Sequence, residues 1–97
     1  MANLTGSWAL SVETDMGSGN PTFELKQASD GKITGTYTGQ LGESEVTGLI
    51  KEDDTFHIEF DIQGNKIEYD GKAAGGKISG KVKLGTMAEG TFTGVKK

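Results

Sequence analysis

The sequence predicts an all-β protein built as an eight-stranded antiparallel β-barrel in which the strands follow one another in up-and-down order. Apolar and polar residues alternate in eight successive runs, which is the pattern of strands with one buried face. Turn-forming glycine, asparagine, aspartate or serine separates the runs. Glycine recurs on the apolar side of these runs, as at Gly35 and Gly80, and glycine within a strand marks a bend or a close approach. A sheet that coils into a closed barrel is expected to have such glycines in several of its strands.

Four runs, at residues 4–14, 22–28, 33–39 and 45–51, occupy the first half of the chain. Because successive side chains of a strand point to opposite faces, every second residue of each run is expected inside the barrel. These inward residues are Gly6, Trp8, Leu10, Val12, Phe23, Leu25, Gln27, Ile33, Gly35, Tyr37, Gly39, Val46, Gly48 and Ile50.

The second half continues with runs at 56–63, 66–73, 78–84 and 88–95. The first of them alternates most regularly, with His57, Glu59 and Asp61 on its outer face. The predicted inward residues are Phe56, Ile58, Phe60, Ile62, Ile67, Tyr69, Gly71, Ala73, Ile78, Gly80, Val82, Leu84, Gly90, Phe92 and Gly94. Helical periodicity is not sustained anywhere, so no helix longer than one turn is expected.

Short connections join these runs, which favours neighbouring strands and pairing of the first strand with the last. The alternative is a β-sandwich, which would need one long connection, and residues 15–21 are the one candidate. With 97 residues the chain is expected to form a single β-barrel domain, 1–97.

Composition narrows the classes of function. The chain has no cysteine, which excludes disulfides, thiolate nucleophiles and sulfur ligands for metals. No stretch approaches the roughly 20 apolar residues of a membrane span, so no membrane insertion is expected. Residues 1–6 show no secretory signal, which leaves the compartment open: cytoplasmic, or periplasmic or secreted if a signal has been removed.

The net charge of −4 is unevenly distributed, because lysines concentrate in the last third of the chain. We expect Lys77, Lys81 and Lys83 on an outer face, paired with Glu68 and Asp70 of the preceding strand. An acidic chain without outward aromatic residues is a poor partner for nucleic acid, and none is predicted.

Catalytic and metal-binding constellations are not recognisable. His57, the single histidine, is expected on the outer face without partners of catalytic type. The acidic segments 43–45 and 52–54 are interpreted as turns rather than calcium loops. We therefore expect no enzyme activity, no metal site and no cofactor.

Two segments, Gly6-Ser7-Trp8 and the run from Asp30-Gly31 to Tyr37, resemble the first three strands of the avidin and streptavidin family and of lipocalin-like (calycin) barrels. That resemblance implies a closed barrel with the tryptophan bracing one end. The polar residues of an avidin-type biotin site are not retained, because Leu10, Val12 and Gly39 stand at their places.

A longer resemblance spans the chain from Gly6-x-Trp8 through residues 12–17, Phe23-x-Leu25-x-Gln27 and Ile33-x-Gly35 to the closing segment 90–94. This pattern is similar to small bacterial β domains of unassigned function, found alone or appended to metal-dependent amidohydrolases. The resemblance implies an accessory module or a stand-alone homologue.

The barrel interior is the candidate site, since an eight-stranded barrel can be filled by side chains or hold one small ligand. In the leading interpretation a small hydrophobic molecule binds inside, with Trp8 closing one end and residues 15–21 forming the rim of the mouth. The alternative is a solid core, with a structural, accessory or self-association role; Leu49 and Val95 are the outward apolar residues, enough for a monomer or a weak dimer. The candidate ligand-binding residues are Trp8, Phe23, Gln27, Tyr37, Phe56, Phe60, Tyr69 and Phe92.

Overall fold

The computed structural model describes residues 3–15, 17–39, 42–85 and 88–97, and contains nine β-strands and no helix within those ranges. The strands are β1 (Gly6–Thr14), β2 (Gly17–Gly19), β3 (Thr22–Gln27), β4 (Lys32–Gly39), β5 (Gly42–Ile50), β6 (Thr55–Ile62), β7 (Asn65–Ala74), β8 (Lys77–Leu84) and β9 (Ala88–Lys96).

Every pairing between neighbouring strands is antiparallel, and from β3 to β9 the strands pair in chain order. Strand β1 pairs with β3 on one side and with β9 on the other, from Trp8 opposite Lys96 to Thr14 opposite Gly90. This last pairing closes the sheet and removes its edges. The predicted eight-stranded up-and-down barrel is therefore confirmed, and the sandwich alternative is wrong.

The ninth strand is the short β2, which lies in the segment predicted as a plain connection. Pairing between β1 and β3 ends at Ala9 opposite Thr22, and the last three residues of β1 pair with β2, from Val12 opposite Gly19 to Thr14 opposite Gly17. Three residues of glycine and serine show no alternation of polarity, so the sequence pattern could not reveal this strand.

The interpretation of residues 43–45 as a turn is also wrong, because they belong to β5. Ser44 lies opposite Tyr37 of β4, and Glu43 and Glu45 are exposed on the outer face. The pattern misled because the inward position of this strand end carries a polar serine in place of an apolar side chain. The acidic segment 52–54, in contrast, is a turn as predicted.

The inward apolar residues form one continuous core, and all the bulky ones predicted to point inward are buried except Leu84, which is partly buried. Within the described residues no charged side chain is buried. Six aromatic rings occupy the middle of the barrel, with neighbouring centroids 4.6–6.4 Å apart. They belong to Phe23, Tyr37, Phe56, Phe60, Tyr69 and Phe92.

The inward glycines mainly allow neighbouring strands to approach. A methyl group at Gly35, Gly48 or Gly80 would collide with a backbone carbonyl oxygen of the adjacent strand. Gly71 also faces a ring, because a methyl group there would lie 2.8 Å from Cζ of Phe92. Most of these positions are therefore required by the backbone geometry of a tightly coiled sheet.

Candidate functional site

The two ends of the barrel differ, and one of them is plugged. Trp8 is 2% exposed, and its indole Nε1 donates a hydrogen bond of 2.8 Å to the Leu4 carbonyl oxygen. The Leu4 amide donates in turn to Oε1 of Gln27 at 2.8 Å, and the ammonium of Lys96 lies 5.5 Å from the Trp8 ring centroid. These contacts satisfy the polar atoms of the plug while its apolar surface stays buried. We call this the closed end.

The first and last described segments of the chain meet at the closed end. Strand β1 starts there and β9 finishes there, and the amide of Lys97 donates a hydrogen bond of 2.9 Å to the carbonyl oxygen of Ser7. The first and last strands of the barrel are thus held together by backbone contacts.

The opposite end, which we call the open end, contains a cavity of about 240 Å³. The apolar side chains on its wall come from β1, β6, β7 and β8. They are Val12, Ile62, Ile67 and Leu84. Tyr37 and Tyr69 of the aromatic layer form its inner boundary, while residues 17–21 and the β6–β7 turn form its rim. Because the lining is mainly apolar and a few polar groups converge on it, the cavity has the character of a small-molecule site.

Tyr69 is the most distinctive group of this cavity. Its side chain is 2% exposed, and no residue in the described ranges makes a hydrogen bond to its hydroxyl. Buried side-chain oxygen and nitrogen atoms in the same ranges all have partners, so this hydroxyl borders the open space of the cavity. Burial, and to a smaller extent the neighbouring Tyr37, raises the pKa of Tyr69, and the phenol therefore stays protonated and able to donate.

Charged side chains are missing from the wall as far as it is described. The polar groups there are hydroxyls and amides, at Thr14, Ser18, Asn20, Gln63 and Asn65 besides the two tyrosines. The cavity consequently offers hydrogen bonds but no countercharge.

Of the eight interior residues predicted as ligand contacts, Tyr37 and Tyr69 lie together at this cavity. Trp8 and Gln27 lie at the closed end, and the other four, Phe23, Phe56, Phe60 and Phe92, lie in the aromatic layer. The cavity residues Val12, Ile62, Ile67 and Leu84 were predicted to point inward but not to line a site. Their shared position at one end of successive runs was the available signal, whereas nothing in the pattern singled out Gln63 or Asn65.

On the outer wall His57 has carboxylate partners on two strands. Its Nδ1 lies 2.6 Å from Oδ1 of Asp70, and its Nε2 lies 3.5 Å from Oε2 of Glu59. Partial burial lowers the pKa of His57, but the hydrogen bonds to the two carboxylates outweigh it, and the net shift is upward. The prediction that this histidine lies outward is correct, and the structure adds these acidic partners.

This arrangement makes stability depend on pH. Since the pKa of folded His57 is raised, its stabilising contribution is complete below the unfolded value of about 6.5 and is lost as the pH rises through the folded value. The imidazole is 40% exposed, so screening by water limits the contribution to about half a kcal/mol. We expect Asp70→Asn to lower the His57 pKa measured by NMR titration, and to destabilise the protein more at about pH 5.5 than at about pH 8.5. Glu43→Gln is the control, because Glu43 lies at the far end of β5 from Leu49, the residue opposite His57. An unchanged His57 pKa in Asp70→Asn would contradict the assignment.

Lys66 lies in the same outer cluster, with its ammonium 3.1 Å from Glu59 and 3.7 Å from Glu68. Oxygen and nitrogen atoms of His57, Glu59 and Glu68 lie within 4.8 Å of one another, a spacing that could hold a cation. The ammonium already supplies positive charge there, and it lowers the pKa of Glu59. We interpret the cluster as a cross-strand ion-pair network.

The predicted positions of the β8 lysines are partly correct. Lys83 lies opposite Glu68 and Lys81 opposite Asp70, as expected for outer-face partners. Lys77 lies opposite Ala74, so its predicted pairing with these carboxylates is wrong.

Comparison with solved structures identifies small barrels of the same architecture. A de novo designed fluorescence-activating β-barrel superposes with a TM-score of 0.78 at 13% sequence identity over 100% of both chains. A redesigned barrel, mFAP1, bound to DFHBI gives a TM-score of 0.69 at 14% identity, covering 97% of this chain and 94% of that one. Fatty-acid-binding protein 1 of Echinococcus granulosus gives 0.57 at 13% identity, covering 96% of each chain. Because the identities are this low, the superpositions show a shared fold and nothing more.

No protein-family model matches the chain, and comparison with curated proteins finds no sequence relative. In the described ranges there is also no helix of the length and hydrophobicity required to cross a membrane.

Proposed function

We propose that this protein is a non-enzymatic binding protein that holds one small hydrophobic molecule in the cavity at the open end. The observation that carries the proposal is the cavity itself, which combines apolar walls with the Tyr69 hydroxyl, a group that borders the open space and has no hydrogen-bond partner among the described residues. The similar barrels support it, because one is described bound to DFHBI and another is a fatty-acid-binding protein. We further propose that the chain is one of the small bacterial β domains of unassigned function that its sequence pattern resembles.

Unequal packing of the two ends supports the same function. A ligand gains free energy when apolar surface leaves water, at about 25 cal/mol per Å². The aromatic layer and Trp8 belong to the buried core, whereas the open end keeps unfilled volume beside Val12, Ile62 and Ile67. We therefore assign ligand binding to the open end.

The test is binding of toluene, followed by methyl NMR. We expect saturable shifts at Ile62 and Ile67, because their side chains line the cavity. Leu84→Trp places an indole at the rim of the cavity and should abolish these shifts, whereas Leu49→Trp adds the same group to the outer wall and should preserve them. Shifts that do not saturate, or that persist unchanged in Leu84→Trp, would contradict the proposal.

Self-association through the outer wall is the weaker alternative. Leu49 and Val95 are 46% and 48% exposed, but they lie on β5 and β9, which are not neighbouring strands. Two separated side chains do not make the contiguous apolar area of a stable interface. We therefore propose a monomer, and light scattering across a concentration series tests this.

A further inference from the structure

The size of the cavity limits the ligand. By comparison, an apolar cavity of about 150 Å³ accommodates benzene, and sites for drug-sized molecules occupy about 300–1,000 Å³. A cavity of about 240 Å³ lies between these values. It matches one substituted ring and is too small for a long acyl chain.

The charge of the lining limits the ligand further. A carboxylate or ammonium group buried without a countercharge is strongly disfavoured. The described wall has no ionisable side chain besides Tyr37 and Tyr69, and the pKa of Tyr69 is raised, which keeps it uncharged. An uncharged ligand suits this environment.

The Tyr69 hydroxyl adds a directional requirement. It is held in the core by rings of Phe23 and Phe92, whose centroids lie 5.0 Å from its own. The hydroxyl borders the open space of the cavity, and none of the described residues makes a hydrogen bond to it. A ligand that fills the cavity excludes water from this hydroxyl, which is then stabilised only if the ligand supplies a partner. A ligand that brings an acceptor oxygen or nitrogen to this point supplies the missing hydrogen bond.

From these three limits, and resting on the proposed function, we infer that the cavity selects uncharged single-ring compounds that carry one hydrogen-bond acceptor directed at Tyr69. Aryl ketones and related neutral aromatic carbonyl compounds belong to this class. Long-chain fatty acids and aromatic carboxylates do not.

Three compounds of closely similar shape separate the contributions of the ring, the hydrogen-bond acceptor and the charge to binding. Acetophenone has a ring and a carbonyl acceptor, α-methylstyrene replaces the carbonyl oxygen with a methylene group, and benzoate replaces the acetyl group with a carboxylate. We expect acetophenone to bind about fivefold more tightly than α-methylstyrene, because of the hydrogen bond to Tyr69. Benzoate and dodecanoate should bind at least about a hundredfold more weakly than acetophenone, or not measurably. Dissociation constants come from NMR titrations that follow Ile62 and Ile67.

Tyr69→Phe isolates the hydroxyl. This variant should bind α-methylstyrene as the parent protein does and should lose the preference for acetophenone, so that the two ligands bind equally within about twofold. Thr36→Val removes an exposed hydroxyl from the outer face and should leave the preference intact. Near-UV circular dichroism establishes that both variants keep the packed core.

The outcomes distinguish the inference from the function on which it rests. Tight binding of benzoate or dodecanoate, or equal binding of acetophenone and α-methylstyrene to the parent protein, would overturn the ligand class while leaving a binding protein. Retention of the acetophenone preference in Tyr69→Phe would overturn the role of the hydroxyl. If none of the four compounds produces saturable shifts at the cavity, both the ligand class and the proposed function are wrong.

Discussion

Replacing Trp8 with alanine is expected to lower the free energy of unfolding by about 3–5 kcal/mol. The side chain is almost entirely buried, and its removal leaves a void at the closed end and an unpaired carbonyl oxygen at Leu4. Domains of this size have a total stability on the order of 5–15 kcal/mol, so the variant should be close to unfolding. Urea denaturation followed by far-UV circular dichroism measures the loss, because Trp8 is the single tryptophan and its fluorescence disappears with it.

Two further substitutions make the Trp8 result specific. Trp8→Phe keeps an apolar ring but removes the indole N–H. It should lower the free energy of unfolding by about half as much as Trp8→Ala. Leu49→Ala removes an exposed apolar side chain and should cost less than about 0.5 kcal/mol. A Trp8→Ala protein that unfolds at the same urea concentration as Leu49→Ala would show that the plug does not stabilise the barrel.

Gly80→Ala is expected to lower the free energy of unfolding by about 3 kcal/mol or more, a loss similar to that of Trp8→Ala, although it adds a single methyl group. Gly80 lies directly opposite Gly71 in the β7–β8 pair, and the new Cβ would collide with the Asp70 carbonyl oxygen and with Cα of Gly71. These are backbone atoms in the middle of two strands, so no side-chain rotation can relieve the contact. Urea unfolding of the variant, followed by Trp8 fluorescence, gives the change in stability.

Gly75→Ala is the matched control for the added methyl group. It places the same Cβ where no atom lies within 4 Å, at a residue with φ of 57°, and its cost should be about 1 kcal/mol from the left-handed backbone conformation. If Gly80→Ala were no more destabilising than Gly75→Ala, strand approach at Gly80 would not be limiting.

The fold was largely predictable because a period of two is a strong signal when it repeats along the whole chain. Phe56, Ile58 and Phe60 alternate without exception, and their neighbours in sequence are charged or polar. Closure of the sheet was predicted from the short connections and from the cost of free strand edges. The pairing of β1 with β9 confirms it. Strand β2 was not predictable, since its glycines have no side chains with which to mark a face.

The candidate site was less predictable than the fold. Alternation tells which face of a strand is buried but not how far along the barrel axis a residue lies, and the axial position separates Tyr69 at the cavity from Trp8 at the closed end. The axial position depends on the stagger between strands, which arises from backbone hydrogen bonding and leaves no trace in composition. For the same reason Gln27 could be predicted to point inward, while its hydrogen bond to Leu4 at the closed end could not be predicted.

The start of β1 and the end of β9 lie together at the closed end, and this limits how the barrel can be attached to other proteins. An even count of full-length strands returns the chain to its starting side, as the contact between Lys97 and Ser7 shows. A fusion partner joined at either terminus is therefore tethered opposite the open end, and its linker does not cross the cavity opening. A barrel attached by either of these strand ends directs its open end away from the attached protein.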